Sequence, residues 1–276
     1  MSSLVCRVKS PLSQVTEERV KDYLSCVQDE LKEELRLVEM DELDKVPFGL
    51  VYVASGGSEG IFLEKYLKLA ERPLYILTSD ESNSLAASME ILSYLQAHGH
   101  YGEIIHGSVK DVAARIRALK SAYQAKANLK GKKLGLIGDP SDWLIASPAD
   151  DAAYRAKLGV SLEKIPMSEL QDEIRKGGYP ENRWTLDLKS KGYDAAEMEK
   201  ALNVYGAFRR IVDRHGLFGL TVRCFDLLDS VHTTGCLGLA ILNAEGIYGG
   251  CEGDVPSLMS MVILGEVSGN PVFLCN

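Results

Sequence analysis

The residues with the clearest chemical content lie near the end of the chain, in the run Gly249-Gly250-Cys251-Glu252-Gly253-Asp254-Val255-Pro256. Glu252 and Asp254 stand one residue apart among glycines, which let a backbone take positive φ and let a ligand approach closely. Pro256 suits the first turn of a helix, and an apolar stretch over residues 258–267 continues it, so Asp254 falls near an N-cap. A carboxylate pair on such a turn binds a hard cation or moves protons. The plain alternative is a helix cap in a tight turn.

Other polar runs follow strand-like segments. Ser55-Gly56-Gly57-Ser58-Glu59-Gly60 lies between a strand and a helix, where α/β sheets bind anions. It lacks the dinucleotide fingerprint and the P-loop lysine, and a tight crossover turn is the plainer account of it. Thr78-Ser79-Asp80-Glu81-Ser82-Asn83-Ser84 is rich in capping residues. Gly138-Asp139-Pro140-Ser141-Asp142-Trp143-Leu144 and Thr221-Val222-Arg223-Cys224-Phe225-Asp226 occupy comparable positions further on. His98, His100 and His106 cluster without metal-ligand spacing. His232 is either a surface residue or a third member of a mixed set with Asp226 and Asp254.

The elements that must position these residues alternate. Strands are expected at residues 4–8, 35–38, 50–54, 73–77 and 103–106, with helices between them. Thr16 caps the first helix, and Val20, Leu24, Val27 and Leu31 give it an i, i+3/i+4 stripe. Lys130-Gly131-Lys132-Lys133 is a polar break, placing one domain over residues 1–130 and a second over 131–276. In the second, strands are expected at 134–137, 160–165, 220–224 and, by its β-formers, 271–275. Helices are expected at 195–214, 234–246 and after Pro256, and residues 177–188 read as a loop. Repeated β-α units of this length imply an α/β fold of two Rossmann-like domains, with mainly parallel sheets covered on both faces.

The chain of 276 residues has ordinary apolar and charged fractions and a net charge of −8, which disfavours a nucleic-acid partner. No apolar run reaches membrane-spanning length, and the N-terminus lacks a signal-peptide pattern. The six cysteines show no C-x-x-C spacing; Cys6, Cys26 and Cys275 fall in strand- or helix-like runs as small hydrophobes. A reduced, cytoplasmic protein is expected.

Cys251-Glu252-Gly253-Asp254, the apolar helix after it, and Gly269-Asn270-Pro271-Val272-Phe273 resemble the middle of the L-fucose/L-arabinose isomerase-like family of sugar isomerases. Gly138 to Trp143 is similar to the Gly-x-Pro-Ser-x-Trp stretch of that family's second domain. The resemblance implies aldose–ketose isomerisation through an ene-diol, with a divalent cation, usually manganese, on two adjacent sugar oxygens. It implies a small-molecule sugar as partner and a trimeric or hexameric homo-oligomer. Carried over, Asp254 is a metal ligand, Glu252 an acid/base or orienting group, and Ser141, Trp143 and Arg223 are sugar contacts. Ser58 or Glu59 would approach a neighbouring subunit's site. The family's second metal-binding carboxylate, which is also its base, is a glutamate at a strand end. Here Arg223 and Cys224 align with that position, and Asp226 is the nearest carboxylate, taken as both second metal ligand and base. The family also has a C-terminal domain with a metal-binding histidine beyond the point where this sequence ends. That implies an incomplete or inactive form, and a non-catalytic sugar-binding module is the alternative.

Overall fold

Alternating strands and helices build two parallel sheets in a computed structural model that describes residues 3–274. The first sheet comprises β1 (Ser3–Val8), β2 (Leu35–Leu37), β3 (Leu50–Val53), β4 (Leu74–Leu77) and β5 (Gly102–Ile105). Its order is β2-β1-β3-β4-β5, every neighbouring pair parallel. Linking these are α1 (Glu17–Leu31), α2 (Met40–Leu43), α3 (Glu59–Tyr66) with a 3-10 turn at Leu67–Glu71, α4 (Ser84–Ala97) and α5 (Val109–Leu129).

The second sheet comprises β6 (Lys133–Ile137), β7 (Ser161–Ile165), β8 (Gly219–Val222) and β9 (Tyr248–Cys251). These run in the order β7-β6-β8-β9, again all parallel. Its helices are α6 (Asp151–Leu158), α7 (Met167–Lys176), α8 (Arg183–Ser190), α9 (Ala195–His215), α10 (Asp226–Val231), α11 (Cys236–Ala244) and α12 (Val255–Ser268). The chain divides into two compact units, one up to Tyr123 and one from Gln124, the division falling within α5.

Each sheet has apolar clusters on both faces, as parallel sheets require. In the first unit the stripe of α1 packs with α5 residues Val112 and Ile116 on one face, while Phe62, Ile91 and Leu95 fill the other. In the second, Tyr205, Phe208 and Ile211 of α9 pack with Leu239 and Leu242 of α11. Leu258, Met259 and Val262 of α12 close the opposite side with Leu134 and Val160.

Two expectations fail. Residues 177–188 are not all loop, because α8 begins at Arg183. Asn182 starts it with a capping box, its side chain accepting from the Trp184 and Thr185 amides at 2.9 and 3.0 Å. The strand expected at 271–275 is absent over 271–274, where the chain is irregular and Phe273 is 85 % exposed; Cys275 lies outside the described residues. A strand there would pair with the free edge of β9. At Gly249 the side-chain amide of Asn243 occupies that edge, accepting from the Gly249 amide at 3.0 Å and donating to its carbonyl at 2.9 Å. No helix among the described residues is long and apolar enough to cross a membrane.

Candidate functional site

In the second sheet, β6 has β7 on one side and β8 on the other, so the chain leaves the carboxyl ends of β6 and β8 in opposite directions. Open α/β sheets form ligand crevices at such points. The loops after β6, β8 and β9 meet there, and with them the residues singled out by sequence.

Glu252 is the hinge of this meeting. It takes a left-handed conformation, φ +63°, which a non-glycine residue seldom adopts without support from its surroundings. That support comes from the β6 loop. The Glu252 carbonyl accepts from the Ser141 amide at 2.9 Å, and its Oε2 accepts from Trp143 Nε1 at 3.0 Å. Gly253 follows with φ +67°, and a Cβ at that position would meet the Asp139 carbonyl at 2.6 Å. Only glycine permits that approach. The Trp143 ring packs edge-on against Phe225, centroids 5.8 Å apart, and both stay open to solvent, 55 % and 48 % exposed.

Arg223, just beyond β8, grips the β6 loop from the other side. Its guanidinium donates to both oxygens of Asp142 at 3.1 and 2.8 Å, to the Pro140 carbonyl at 3.0 Å and, through Nε, to Asp226 at 3.0 Å. The Asp142 bond, with Asp226 behind it, raises the Arg223 pKa, and Arg223 in turn holds the Asp142 carboxyl below its ordinary range. Arg223 is thus largely committed to fixing loop geometry. Ser141, between the two grips, is buried, and its hydroxyl has no hydrogen-bond partner among the described residues. An unpaired buried hydroxyl is costly and uncommon.

Asp254 is the N-cap of α12. Its Oδ1 accepts from the Ser257 amide at 2.9 Å and its Oδ2 from the Ser257 hydroxyl at 2.7 Å. His232 caps α10 in a left-handed conformation. Among the described residues, no three or more His, Cys, Asp or Glu side chains are grouped to hold a metal ion. The structure therefore brings Ser141, Trp143, Arg223, Asp226 and Glu252 together around three strand ends, with Asp254 two residues on from Glu252 and turned to a cap.

Sequence reading overlooked one pair. Cys224 Sγ and Cys251 Sγ lie 2.9 Å apart, although 27 residues separate them in the chain. Parallel registration of β8 with β9, pairing Val222 with Cys251, creates the contact. The Cys251 thiol and the Glu252 amide lower the Cys224 pKa to about 7, while sharing that proton pushes Cys251 up. The available signal was a cysteine at or just past the end of each of two consecutive strands.

In the first unit, the Ser and Gly runs cap and turn. Ser58 is buried and donates to the Ser55 carbonyl at 2.6 Å. Tyr52 donates to Ser79 at 3.2 Å, and His106 pairs with Thr78 at 2.7 Å. Two open cavities sit over these loops. One of about 910 Å³ is lined by Ser10, Ser55, Gly57 and Asn83, and one of about 580 Å³ by Tyr23, Tyr52, Ser79 and Ser108.

No family model matches the chain. It is similar to curated sulfoquinovose isomerases. Those of Priestia aryabhattai and Priestia megaterium (strain ATCC 12872 / QMB1551) are each 23 % identical over 259 residues, covering 87 % of this chain and 57 % of the relative. That of Clostridium sp. (strain MSTE9) is 27 % identical over 174 residues, covering 59 % of this chain and 38 % of the relative. All three are sugar isomerases. The chain spans a little over half the length of the first two.

Proposed function

We propose that this chain supplies the sugar-contacting part of an isomerase that interconverts an aldose and a ketose, a sulfonated sugar of the sulfoquinovose kind being the first substrate to test. The observation that carries the reading is the convergence of Ser141, Trp143, Arg223 and Glu252 at the carboxyl ends of β6, β8 and β9. The similarity to sulfoquinovose isomerases supports it.

Isomerisation moves a proton between adjacent carbons through an ene-diol, which needs a base within reach and a group that steadies the developing charge. Glu252 Oε2 is held by Trp143; Oε1 is available as the base. The half-exposed indole offers a flat apolar face to a sugar ring. Ser141 offers a buried hydroxyl that a sugar hydroxyl would satisfy. Asp226, one oxygen on Arg223, is the second carboxylate.

Asp254 and Asp226, expected to hold a divalent cation, do not make a donor set for one. Both Asp254 oxygens serve Ser257, and Asp226 is paired with a guanidinium. No step is assigned to a cation here. Manganese dependence, implied by the family resemblance alone, is proposed for the whole protein only. The second reading, sugar binding without turnover, is favoured by the family resemblance, which puts Arg223 and Cys224 at the position of the family's glutamate.

The test is to incubate the whole protein with sulfoquinovose in D2O and follow the products by proton NMR. Ketose formation with solvent deuterium at C1, lowered about a hundredfold by Glu252→Gln, is expected. Binding without deuterium exchange would sink the isomerase reading and leave the binding module. Absence of binding would sink both.

A further inference from the structure

Cys251 faces two ways in the second unit. On one side its sulfur touches Cys224, 2.9 Å away, within about 1 Å of a disulfide bond length. On the other it helps line a cavity of about 650 Å³ together with Trp184, Cys236, Leu239, Gly250 and Phe273. Cys224 is buried, 2 % exposed, and Cys251 is partly exposed. Both thiols are free, and the strands that carry them are already hydrogen-bonded neighbours. Closing a bond between them requires only a sub-ångström to ångström adjustment of two loops, not a rearrangement of the sheet. A small oxidant has a route to one sulfur, and the second sulfur waits behind it.

We infer that Cys224 and Cys251 form a peroxide-reactive dithiol, with Cys251 the attacking sulfur reached through the cavity and Cys224 the resolving one. In the first step Cys251 passes the proton it shares with Cys224 to that sulfur and attacks hydrogen peroxide as the thiolate; an S–O bond forms, the O–O bond breaks, and hydroxide leaves. In the second the Cys224 thiolate attacks the Cys251 sulfenic acid; the S–S bond forms, the S–O bond breaks, and a second hydroxide leaves. The two hydroxides take up the two thiol protons, so two thiols and one peroxide give one disulfide and two waters. The disulfide ties the loop after β8, with Arg223 and Asp226, to the turn holding Glu252. The inference does not rest on the sugar reading.

The test treats the reduced, intact chain with one equivalent of hydrogen peroxide, denatures it, alkylates it with N-ethylmaleimide and measures its mass. Alkylatable thiols should fall from six to four in a single species, and dithiothreitol should restore six. No Lys or Arg separates Cys224 from Cys251, so mapping needs cleavage after acidic residues; it should link those two cysteines. In Cys224→Ser the Cys251 sulfenic acid has no resolving partner, and its dimedone adduct should rise at least tenfold over the wild type. Six alkylated thiols after oxidation, a Cys236–Cys251 link instead, or equal dimedone labelling in wild type and Cys224→Ser would each overturn the inference. The wild-type mapping stands even if the variant fails to fold.

Discussion

The two units share one strand order and spend it differently. In β2-β1-β3-β4 and in β7-β6-β8-β9 the strands succeed one another in the same way, so the carboxyl ends of β1 and β3 correspond to those of β6 and β8. Over the first pair lie neutral hydroxyls that bond to nearby backbone: Ser55 to the Ser10 amide, Ser58 to Ser55, Ser84 to Val53. Over the second lie an indole, a guanidinium, three carboxylates and two thiols, with one buried hydroxyl left unpaired. A shared topology offers the same crevice twice, and the loops decide whether it is filled by the protein's own bonds or left with capacity for a ligand.

The units also differ in what braces their helices, and here the largest effect is expected. Behind the first sheet Phe48, Tyr75 and Tyr123 pack ring on ring, centroids 5.5 to 5.9 Å apart. In the second unit the buried Glu173 of α7 accepts from Lys176 at 2.7 Å, from Arg210 at 2.8 Å and from Arg214. Hydrogen bonds to charged groups contribute about 2 kcal/mol each, so Glu173→Ala should destabilise the second unit by at least about 2 kcal/mol. Hydrogen exchange should show protection lost along α7 and α9 and kept along α1. Equal loss along α1 would break the contrast.

Acid should reveal the same asymmetry without mutation. The Lys176 and Arg214 bonds hold the Glu173 carboxyl down to about 2, from an ordinary 4.5. A depressed carboxyl contributes stability that is complete above its unfolded value and disappears as pH falls through the folded one. The second unit should therefore weaken between pH 4.5 and about 2, by about 2 kcal/mol. The neutral pairs of Ser55, Ser58 and Ser84 do not titrate in that window. Urea titrations with the α7 and α9 amides as probes read this directly, and a flat profile for those helices would dismiss the contrast.

At the strand ends the comparison becomes one of binding. If the proposed sugar contact holds, Trp143→Ala should weaken sulfoquinovose binding about tenfold, or about 1.4 kcal/mol. Ser10→Ala, at the corresponding crevice of the first unit, should leave it within about twofold. Calorimetric titration of both variants decides between one sugar-binding crevice and two.

Much of this was legible in the sequence because the period of hydrophobic residues reports burial. Val20, Leu24, Val27 and Leu31 are all buried on one face of α1, and Thr16 is its cap. The residue pattern alone offered Ser141, Trp143, Arg223 and Glu252 as separate runs after strands, and only the family resemblance put them in one site; which atoms touch is set by registration between strands, which no local pattern contains. The same holds for Cys224 and Cys251. The short helix α8 escaped notice because it buries little apolar surface and depends on the Asn182–Thr185 box. The expected strand over 271–275 had the right residue types, but β-formers need a partner edge. Asn243 already occupies that edge at Gly249. Local propensity was overruled by a side chain far away in sequence.

The smallest expected effect concerns His215, in the last turn of α9, where a cation also complements the helix dipole. Its Nε2 faces Glu169 at 2.8 Å and its Nδ1 faces Glu163 at 2.5 Å. Those carboxylates, Glu169 first, raise its pKa above the ordinary 6.5. Arg214 and Lys133, which pair with the same two carboxylates, oppose the charge from beside it and keep the gain modest. A histidine with a raised pKa binds its proton more tightly when folded, so its contribution is complete below about pH 6.5 and is lost as pH rises through the folded value. The second unit should thus lose about 1 kcal/mol on the alkaline side of neutrality, opposite in direction to the loss at Glu173. His215→Gln should flatten that alkaline slope and leave the acid slope in place. Following the His215 Cε1 proton by NMR against pH gives the midpoint, and a value at or below 6.5 would remove His215 from the set of groups that distinguish the two units.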